Sequence, residues 1–164
     1  MTEKELDFLR ESNNIEGVWD DLSLQQAILA WQYLINEENL SKVNILKTHR
    51  ILMIYQPIGY DERGFFRKHN VRIGNRVCPT WQEVPLLFGG WLNDFRAVKD
   101  FSIMKNKEML SRSLHVRFEN CHPFADGNGR VGRIIMNWLR IKWLKLPILV
   151  IQEAKKQEYH QWFD

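Results

Sequence analysis

The spacing of apolar residues most constrains what this chain can fold into, because it follows the period of an α-helix through most of the sequence. One apolar stripe advances in steps of three and four, and it consists of Leu24, Ala27, Ile28, Trp31, Leu34 and Ile35. Similar stripes lie near residues 45–53, 84–95, 110–121 and 131–141. Residues three and four apart share one face of a helix, so the pattern predicts an all-α fold.

Residues that can cap a first helical turn predict where several helices begin. Ser23 with Gln26 and Thr80 with Glu83 both have the spacing of a capping box, and Ser41 is a third candidate cap. Three further helices are predicted over residues 3–15, about 107–121 and about 129–144.

One segment, Asn70–Cys78, departs from the helical pattern. Its sequence NVRIGNRVC has two short β-like runs on either side of Gly74 and Asn75, a dipeptide suited to a two-residue primed turn. An isolated hairpin has little stability of its own. The sequence therefore predicts one small β-hairpin, which is either a flap over a binding site or a plain surface feature.

Length, composition and charge exclude several classes of protein. The 164 residues, 45% hydrophobic and 26% charged, suffice for a single core. No apolar run approaches the roughly 18 residues that a membrane span needs. The two cysteines are far apart and the N-terminal stretch is charged, which predicts a cytoplasmic protein without membrane contact. The net charge of +3 is diffuse, so nucleic-acid binding is not expected.

Chemically active residues concentrate between Cys121 and Arg133. Pro123 disfavours helical geometry at His122, which places this histidine at a helix end. The following Asp126–Gly129 stretch predicts a tight turn into a new helix, whose free N–H groups and positive dipole end suit phosphate.

The side chains around this turn complete a pattern typical of phosphoryl chemistry. Arg130 and Arg133 are three residues apart on the first turn, and both could reach one anion. Asp126 is a natural ligand for Mg²⁺, and His122, with an ordinary pKa near ~6.5, can take a proton from a hydroxyl. Each feature alone is more often an ordinary turn, a structural histidine or a solvent-facing arginine. Their conjunction favours function.

The stretch HPFADGNGRVGR resembles the signature of the Fic (filamentation induced by cyclic AMP) family, and the similarity extends from about Gly64 to the C-terminus. The resemblance implies a Fic-type helical domain that transfers AMP from ATP to a Ser, Thr or Tyr hydroxyl of a target protein. It implies a set of residue roles: His122 as general base, Asp126 as Mg²⁺ ligand, Gly127, Asn128 and Gly129 as anion hole, Arg130 at the pyrophosphate and Arg133 at the γ-phosphate.

The same resemblance assigns a role to the hairpin, since Fic proteins have a flap of this kind. Val71, Arg72, Ile73 and Gly74 would then pair in β fashion with a segment of the target and help to cover the nucleotide. This favours the flap interpretation of the hairpin. The implied partners are ATP and a target protein, while self-modification and a homo-oligomer are left open.

A second motif, SNNIEG, resembles the inhibitory helix of some Fic proteins through Ser12, Glu16 and Gly17. It implies an inhibitory helix at residues 1–20 ahead of a Fic domain at 21–164, with Glu16 paired to Arg133 in place of the γ-phosphate. A helix end with Gly17 as its C-terminal residue and a solvated Glu16 is the plainer alternative. In some relatives this glutamate orients a water that removes AMP, so the reverse reaction is open.

The C-terminal segment resembles the family less closely. Tyr159 could stack on the adenine with partial help from His160, while Lys156 stands where arginine is frequent. Another nucleotide such as UTP therefore stays open. A catalytically silent binding module is the alternative from a different functional class, although such a module has no need for His122, Asp126 and both arginines together.

Overall fold

The computed structural model describes residues 1–101 and 106–163, and within these ranges the chain forms seven α-helices and one two-stranded antiparallel sheet. The helices are α1 (Glu3–Ile15), α2 (Asp21–Ile35), α3 (Lys42–Leu52), α4 (Val84–Ala97), α5 (Lys107–Cys121), α6 (Asn128–Leu139) and α7 (Lys156–His160). The strands are β1 (Arg72–Ile73) and β2 (Arg76–Val77). The prediction of an all-α domain with one small hairpin is confirmed.

Two of the helix starts differ from the sequence prediction. Asp20 caps α2, because its Oδ1 accepts the Ser23 amide hydrogen at 2.8 Å. The predicted Ser23 cap is therefore wrong, and Ser23 lies inside the first turn. Thr80 and Glu83 do bond to each other, with the Thr80 amide 2.8 Å from a Glu83 oxygen. They close a turn before α4, which begins one residue after Glu83.

The last long helix, predicted over about 129–144, changes form before its end. It is α-helical to Leu139, widens into a π-helical turn over Arg140–Leu144, and ends where Lys145 has a left-handed conformation. Arg140 in that turn is buried and bonds to Glu108 and to the Pro147 carbonyl. The predicted caps at Ser41 and the helix over 3–15 are confirmed.

Helix α6 runs through the interior, with every residue from Arg130 to Leu139 buried. The other long helices surround it, and α1 belongs to the same core. Phe8 and Leu9 of α1 are buried, and the Phe8 ring meets the Trp31 ring edge-on at 5.6 Å. The N-terminal helix is thus packed against the rest of the domain and contributes to its core.

The hairpin lies on the surface, with Arg72 opposite Val77 and Ile73 opposite Arg76. Gly74 begins its turn with φ of 56°, the positive value that the first central position of a type II′ turn needs. Within the described ranges, no helix is long and apolar enough to cross a membrane.

Candidate active site

His122 follows directly on α5 and has an unusual backbone. Its φ of 46° is left-handed, and its amide donates to the Phe118 carbonyl at 3.0 Å, which closes the helix end. The next residue is Pro123, which cannot continue the helix. The imidazole is largely buried and lines a cleft of about 450 Å³.

The pKa of His122 is shifted in the direction that favours the neutral ring. Burial and then the nearby Arg67 cation lower it to about 4. At pH 7 the imidazole is therefore uncharged and able to accept a proton. Its Nδ1 atom is buried without a hydrogen-bond partner and lies 4.0 Å from Glu119 Oε2.

The loop after His122 is held in place by the side chains of Asn128 and Phe124. Asn128 closes it, because Oδ1 accepts from the Phe124 amide and Nδ2 donates to the Phe124 carbonyl, both at 2.9 Å. The Phe124 ring stacks on His49 at 3.9 Å between centroids. The Asn128 side chain thus shapes the loop, and its backbone begins α6.

Glycine is required at two positions where this loop enters α6. Gly127 has φ of 76°, and a Cβ there would lie 2.6 Å from Met53 Sδ. A Cβ at Gly129 would overlap Glu16 Oε1. Gly127 is required by its backbone and by Met53, whereas the missing side chain at Gly129 leaves room for an anion against the start of α6, and the Glu16 carboxylate occupies that room.

Glu16 reaches this position from the end of α1. Gly17 has φ of 72°. The Gly17 amide donates to the Asn14 carbonyl and the Val18 amide to the Asn13 carbonyl, the pair of hydrogen bonds of the Schellman motif that ends many helices. The helix-end interpretation of Gly17 therefore describes its backbone. It also fixes where the Glu16 side chain starts.

Arg133 is fully buried and binds Glu16 directly, with Nη2 at 2.6 Å from Oε1. Its Nε donates to Ser12 Oγ and its Nη2 to the Ser12 carbonyl, both at 2.9 Å. Burial opposes ionisation of Glu16, but the charge and hydrogen bond of Arg133 outweigh it and lower the pKa of this carboxyl. Ser12 and Glu16 of the SNNIEG motif thus both bind Arg133, while Gly17 ends the helix that carries them.

Arg130 does not share the cleft with Arg133. Its guanidinium is buried, donates to Gln56 Oε1 at 3.1 Å and lies 3.5 Å from Asp126 Oδ2. Arg133 lines the cleft and Arg130 does not, and that both arginines reach one anion therefore stays a prediction.

Asp126 combines a fixed backbone with an accessible carboxylate. Oδ1 accepts from the Gly127 amide at 2.6 Å, while 53% of the side chain is exposed. Among the described residues, no three His, Cys, Asp or Glu side chains cluster as metal ligands. An exposed carboxylate of this kind is a ligand type that Mg²⁺ accepts, since this ion commonly takes one or two carboxylates plus phosphate oxygens.

Tyr159 of α7 contacts Arg133 through its hydroxyl. Arg133 Nη1 donates to this oxygen at 3.0 Å, and the oxygen lies 2.8 Å from His115 Nε2. Burial lowers the pKa of His115 to about 3, so that its ring is neutral and can accept the tyrosine hydrogen. Only 4% of Tyr159 is exposed, which leaves little of its ring open for a stacked base.

The cleft collects residues from four parts of the chain. Of the predicted site residues, it is lined by Glu16, Arg72, Ile73, His122, Asp126, Gly127, Asn128, Gly129, Arg133 and Tyr159, with His160 beside them. Five others do not line it: Ser12, Gly17, Val71, Gly74 and Arg130. Lys156 stands apart and donates to the Ile15 carbonyl at the end of α1.

Arg67, His115 and Glu119 were not among the predicted site residues. Glu119 lies three residues before His122 on α5, so helical spacing alone could have placed it beside the imidazole. Burial raises the pKa of Glu119 to about 8. Nothing in the sequence pattern pointed to Arg67, whose partners are all backbone carbonyls.

Comparison with known proteins gives a consistent result. The model of the Fic/DOC family matches residues 39–139. The protein adenylyltransferase Fic of Drosophila ananassae is 30% identical over 154 residues, which cover 92% of this chain and 28% of that protein. Its namesake from Culex quinquefasciatus is 29% identical over 136 residues, which cover 80% and 25%. The chain spans about a quarter of the length of these relatives.

Solved structures show the same fold. A Fic domain containing signaling protein from Bacteroides thetaiotaomicron superposes with a TM-score of 0.81 at 20% identity, over 96% of this chain and 69% of that one. Fic-1 from C. elegans gives a TM-score of 0.72 at 19% identity, over 97% and 54%. Both matches show the helical fold described above.

Proposed function

The chain belongs to the Fic/DOC family, and from this membership and the chemistry of the cleft we propose that it is a protein adenylyltransferase inhibited by its own Glu16. The observation that carries the proposal is the contact of the Glu16 carboxylate with Arg133 at the start of α6, in the cleft that His122 lines. Relatives named protein adenylyltransferase Fic support the reaction type.

In the proposed reaction, His122 accepts the proton of a Ser, Thr or Tyr hydroxyl on a target protein. The hydroxyl oxygen bonds to the α-phosphorus of ATP, the bond from that phosphorus to its bridging oxygen breaks, and pyrophosphate leaves with the electron pair. A neutral imidazole is the form that this step needs, and the lowered pKa of His122 supplies it at pH 7.

The start of α6 and Arg133 would hold the triphosphate. The first amides of a helix lack intrahelical partners and point toward an anion, and Gly129 keeps a side chain out of its way. Arg133 carries a buried positive charge with fixed donors, which suits the γ-phosphate. Arg130, bonded to Asp126, would act by holding that carboxylate.

Asp126 would hold Mg²⁺ through its exposed carboxylate. When bound, the ion supplies positive charge that neutralises the phosphates. Asp126 itself is oriented for this by the Gly127 amide on one oxygen and by Arg130 near the other.

The inhibition follows from competition for one cation. Glu16 satisfies Arg133 with a carboxylate, and its pKa is lowered so that it is ionised at neutral pH. A γ-phosphate at Arg133 would meet this negative charge at close range. ATP would therefore bind weakly or with its α-phosphate away from His122.

The hairpin would dock the target. Within the described residues β1 pairs only with β2, so its other edge is free to take a strand. Val71, Arg72, Ile73 and Gly74 form that edge, and two of them also line the cleft. A target segment paired there would bring its hydroxyl toward His122.

The test is ATP-dependent labelling of purified protein and of a proteome with Mg²⁺ and ATP labelled at the α-phosphate. Wild type should give weak label, Glu16→Gly should give strong label on itself or on targets, and His122→Ala in that background should remove it. Glu38→Gly is the matched control and should behave as wild type, because Glu38 is an exposed loop glutamate whose side chain bonds to no other described residue. Equal labelling in all four proteins would refute the proposal.

Removal of AMP is a second candidate activity, which the ionised state of Glu16 in the same cleft favours. An ionised carboxylate can orient a water for attack on the AMP phosphorus, with the target hydroxyl leaving and taking back a proton. The candidate predicts metal-dependent AMP release from a modified target by wild type and none by Glu16→Gly. Unchanged release by that variant would exclude it.

A further inference from the structure

Arg67 is a fully buried cation without an acidic partner. Only 1% of its surface is exposed, and no carboxylate among the described residues forms an ion pair with it. The titratable groups that interact with it are the thiols of Cys78 and Cys121 and the ring of His122. A buried charge costs several kcal/mol unless polar groups surround it, so its carbonyl partners have to compensate.

Three backbone carbonyls surround the guanidinium. Nε donates to the His122 oxygen at 2.8 Å, Nη1 to the His69 oxygen at 3.0 Å and Nη2 to the Pro79 oxygen at 2.6 Å. The Arg67 amide also donates to the Pro123 oxygen at 3.0 Å. These hydrogen bonds therefore join Arg67 to two parts of the chain: the catalytic loop at His122 and Pro123, and the two residues that flank the hairpin, His69 and Pro79.

Two of these carbonyls belong to the residues that flank the hairpin. His69 immediately precedes the segment Asn70–Cys78, and Pro79 immediately follows it, so that one guanidinium holds both stems of the hairpin. A sheet of two short strands has little stability of its own. The bond to the His122 carbonyl also restrains the peptide that sets the direction of the imidazole.

We propose that Arg67 is a positioning residue that joins the target-docking hairpin to His122. Because the same guanidinium bonds to the hairpin stems and to the His122 carbonyl, it fixes the distance between the docked target hydroxyl and the imidazole. Misplacement of reacting groups by about 1 Å can cost on the order of 100-fold in rate. The inference rests on the proposed adenylyl transfer and concerns delivery of the acceptor, not binding of the nucleotide.

The test compares Arg67→Lys and Arg67→Gln in the Glu16→Gly background. Lysine keeps the charge but cannot bond three carbonyls in one plane, and glutamine avoids burying an unpaired charge should the lysine variant fail to fold. Arg63→Lys is the matched control, because Arg63 also donates to two backbone carbonyls, of Gln56 and Ile58, away from the cleft.

The expected result separates transfer from nucleotide binding. Both Arg67 variants should lose roughly 10- to 100-fold in kcat for transfer, while the Kd for ATP stays within about twofold of the parent. Hydrogen exchange of the amides at 70–78 should accelerate, with no change in α6. Arg63→Lys should leave all three measurements at parent values.

Two outcomes would overturn the inference. One is parent-like transfer and hairpin exchange in both Arg67 variants. The other is a parallel loss of thermal stability, ATP binding and transfer, which would mean a general role in folding. Hydrogen exchange needs no activity, so it tests the link even if the parent transfers nothing. A silent parent with selective loosening of the hairpin would refute adenylyl transfer and retain the link.

Discussion

Replacing Glu119 by glutamine should make the stability of this protein less sensitive to alkaline pH. Glu119 is 7% exposed, and burial raises the pKa of its carboxyl from 4.5 to about 8. The charged groups that face it are Arg133, Glu16 and Arg76. They do not compensate the loss of water, so the folded protein keeps this carboxyl protonated at pH 7.

The magnitude follows from proton linkage. Between pH 4.5 and about 8 the unfolded chain releases the proton of Glu119 and the folded chain retains it. The free energy of unfolding then falls as pH rises, by about 1.4 kcal/mol per pH unit. From pH 5 to pH 7.5 the wild type should lose about 3 kcal/mol relative to Glu119→Gln, which has no proton to release.

Urea unfolding of both proteins at pH 5, 6, 7 and 7.5 measures this difference. Burial lowers the pKa of His115 to about 3 and that of His122 to about 4, and both proteins contain these histidines, so the comparison isolates the change at residue 119. Glu38→Gln, at an exposed position, should track the wild type at every pH. A constant difference between wild type and Glu119→Gln, or a wild type that gains relative stability toward alkaline pH, would refute the reasoning.

Three further predictions concern the cleft. Tyr159→Phe removes a bond to Arg133 worth about 1 kcal/mol, so titration calorimetry in an uninhibited variant should give roughly fivefold weaker ATP binding with an unchanged ratio of ATP to UTP affinity; a changed ratio would indicate a base contact. Gly127→Ala should destabilise the protein by at least about 1–2 kcal/mol in thermal melts, because its φ is 76° and its Cβ would lie 2.6 Å from Met53 Sδ. The pKa of His122 near 4 predicts a transfer rate that is flat above about pH 5.5 and falls only as pH drops through about 4; a fall centred near pH 6.5 would contradict it.

Much of the fold could be predicted because apolar spacing and helix caps are local signals. The first helix, the helix over 107–121 and the Gly74 turn were placed correctly. The start of α2 was not, because Asp20 and Ser23 are both good caps. Choosing between two adequate caps depends on packing that a local pattern does not contain.

The site was predictable where chemistry is contained in one short stretch. The loop from His122 to Arg133 places its groups by sequence order, so their proximity follows from the chain itself. Contacts between segments far apart in the sequence were harder to predict. The partner of the Tyr159 hydroxyl depends on how α7 packs, and Arg130 turned to Gln56, which lies 74 residues away.

The role of backbone carbonyls was the least visible feature. Carbonyl oxygens are present at every residue, so no residue type marks the three that surround Arg67. A buried arginine without a carboxylate partner can be recognised only once the tertiary structure is known.

If Glu16 inhibits the protein as proposed, the packing of the first helix limits how the inhibition could be relieved. Phe8, Leu9 and Ile15 fill the interior on the same helix that delivers Glu16. Removal of this segment would expose that interior to water and destabilise the domain. Under the proposed inhibition, activation would therefore move the Glu16 carboxylate away from Arg133 while the helix itself stays packed.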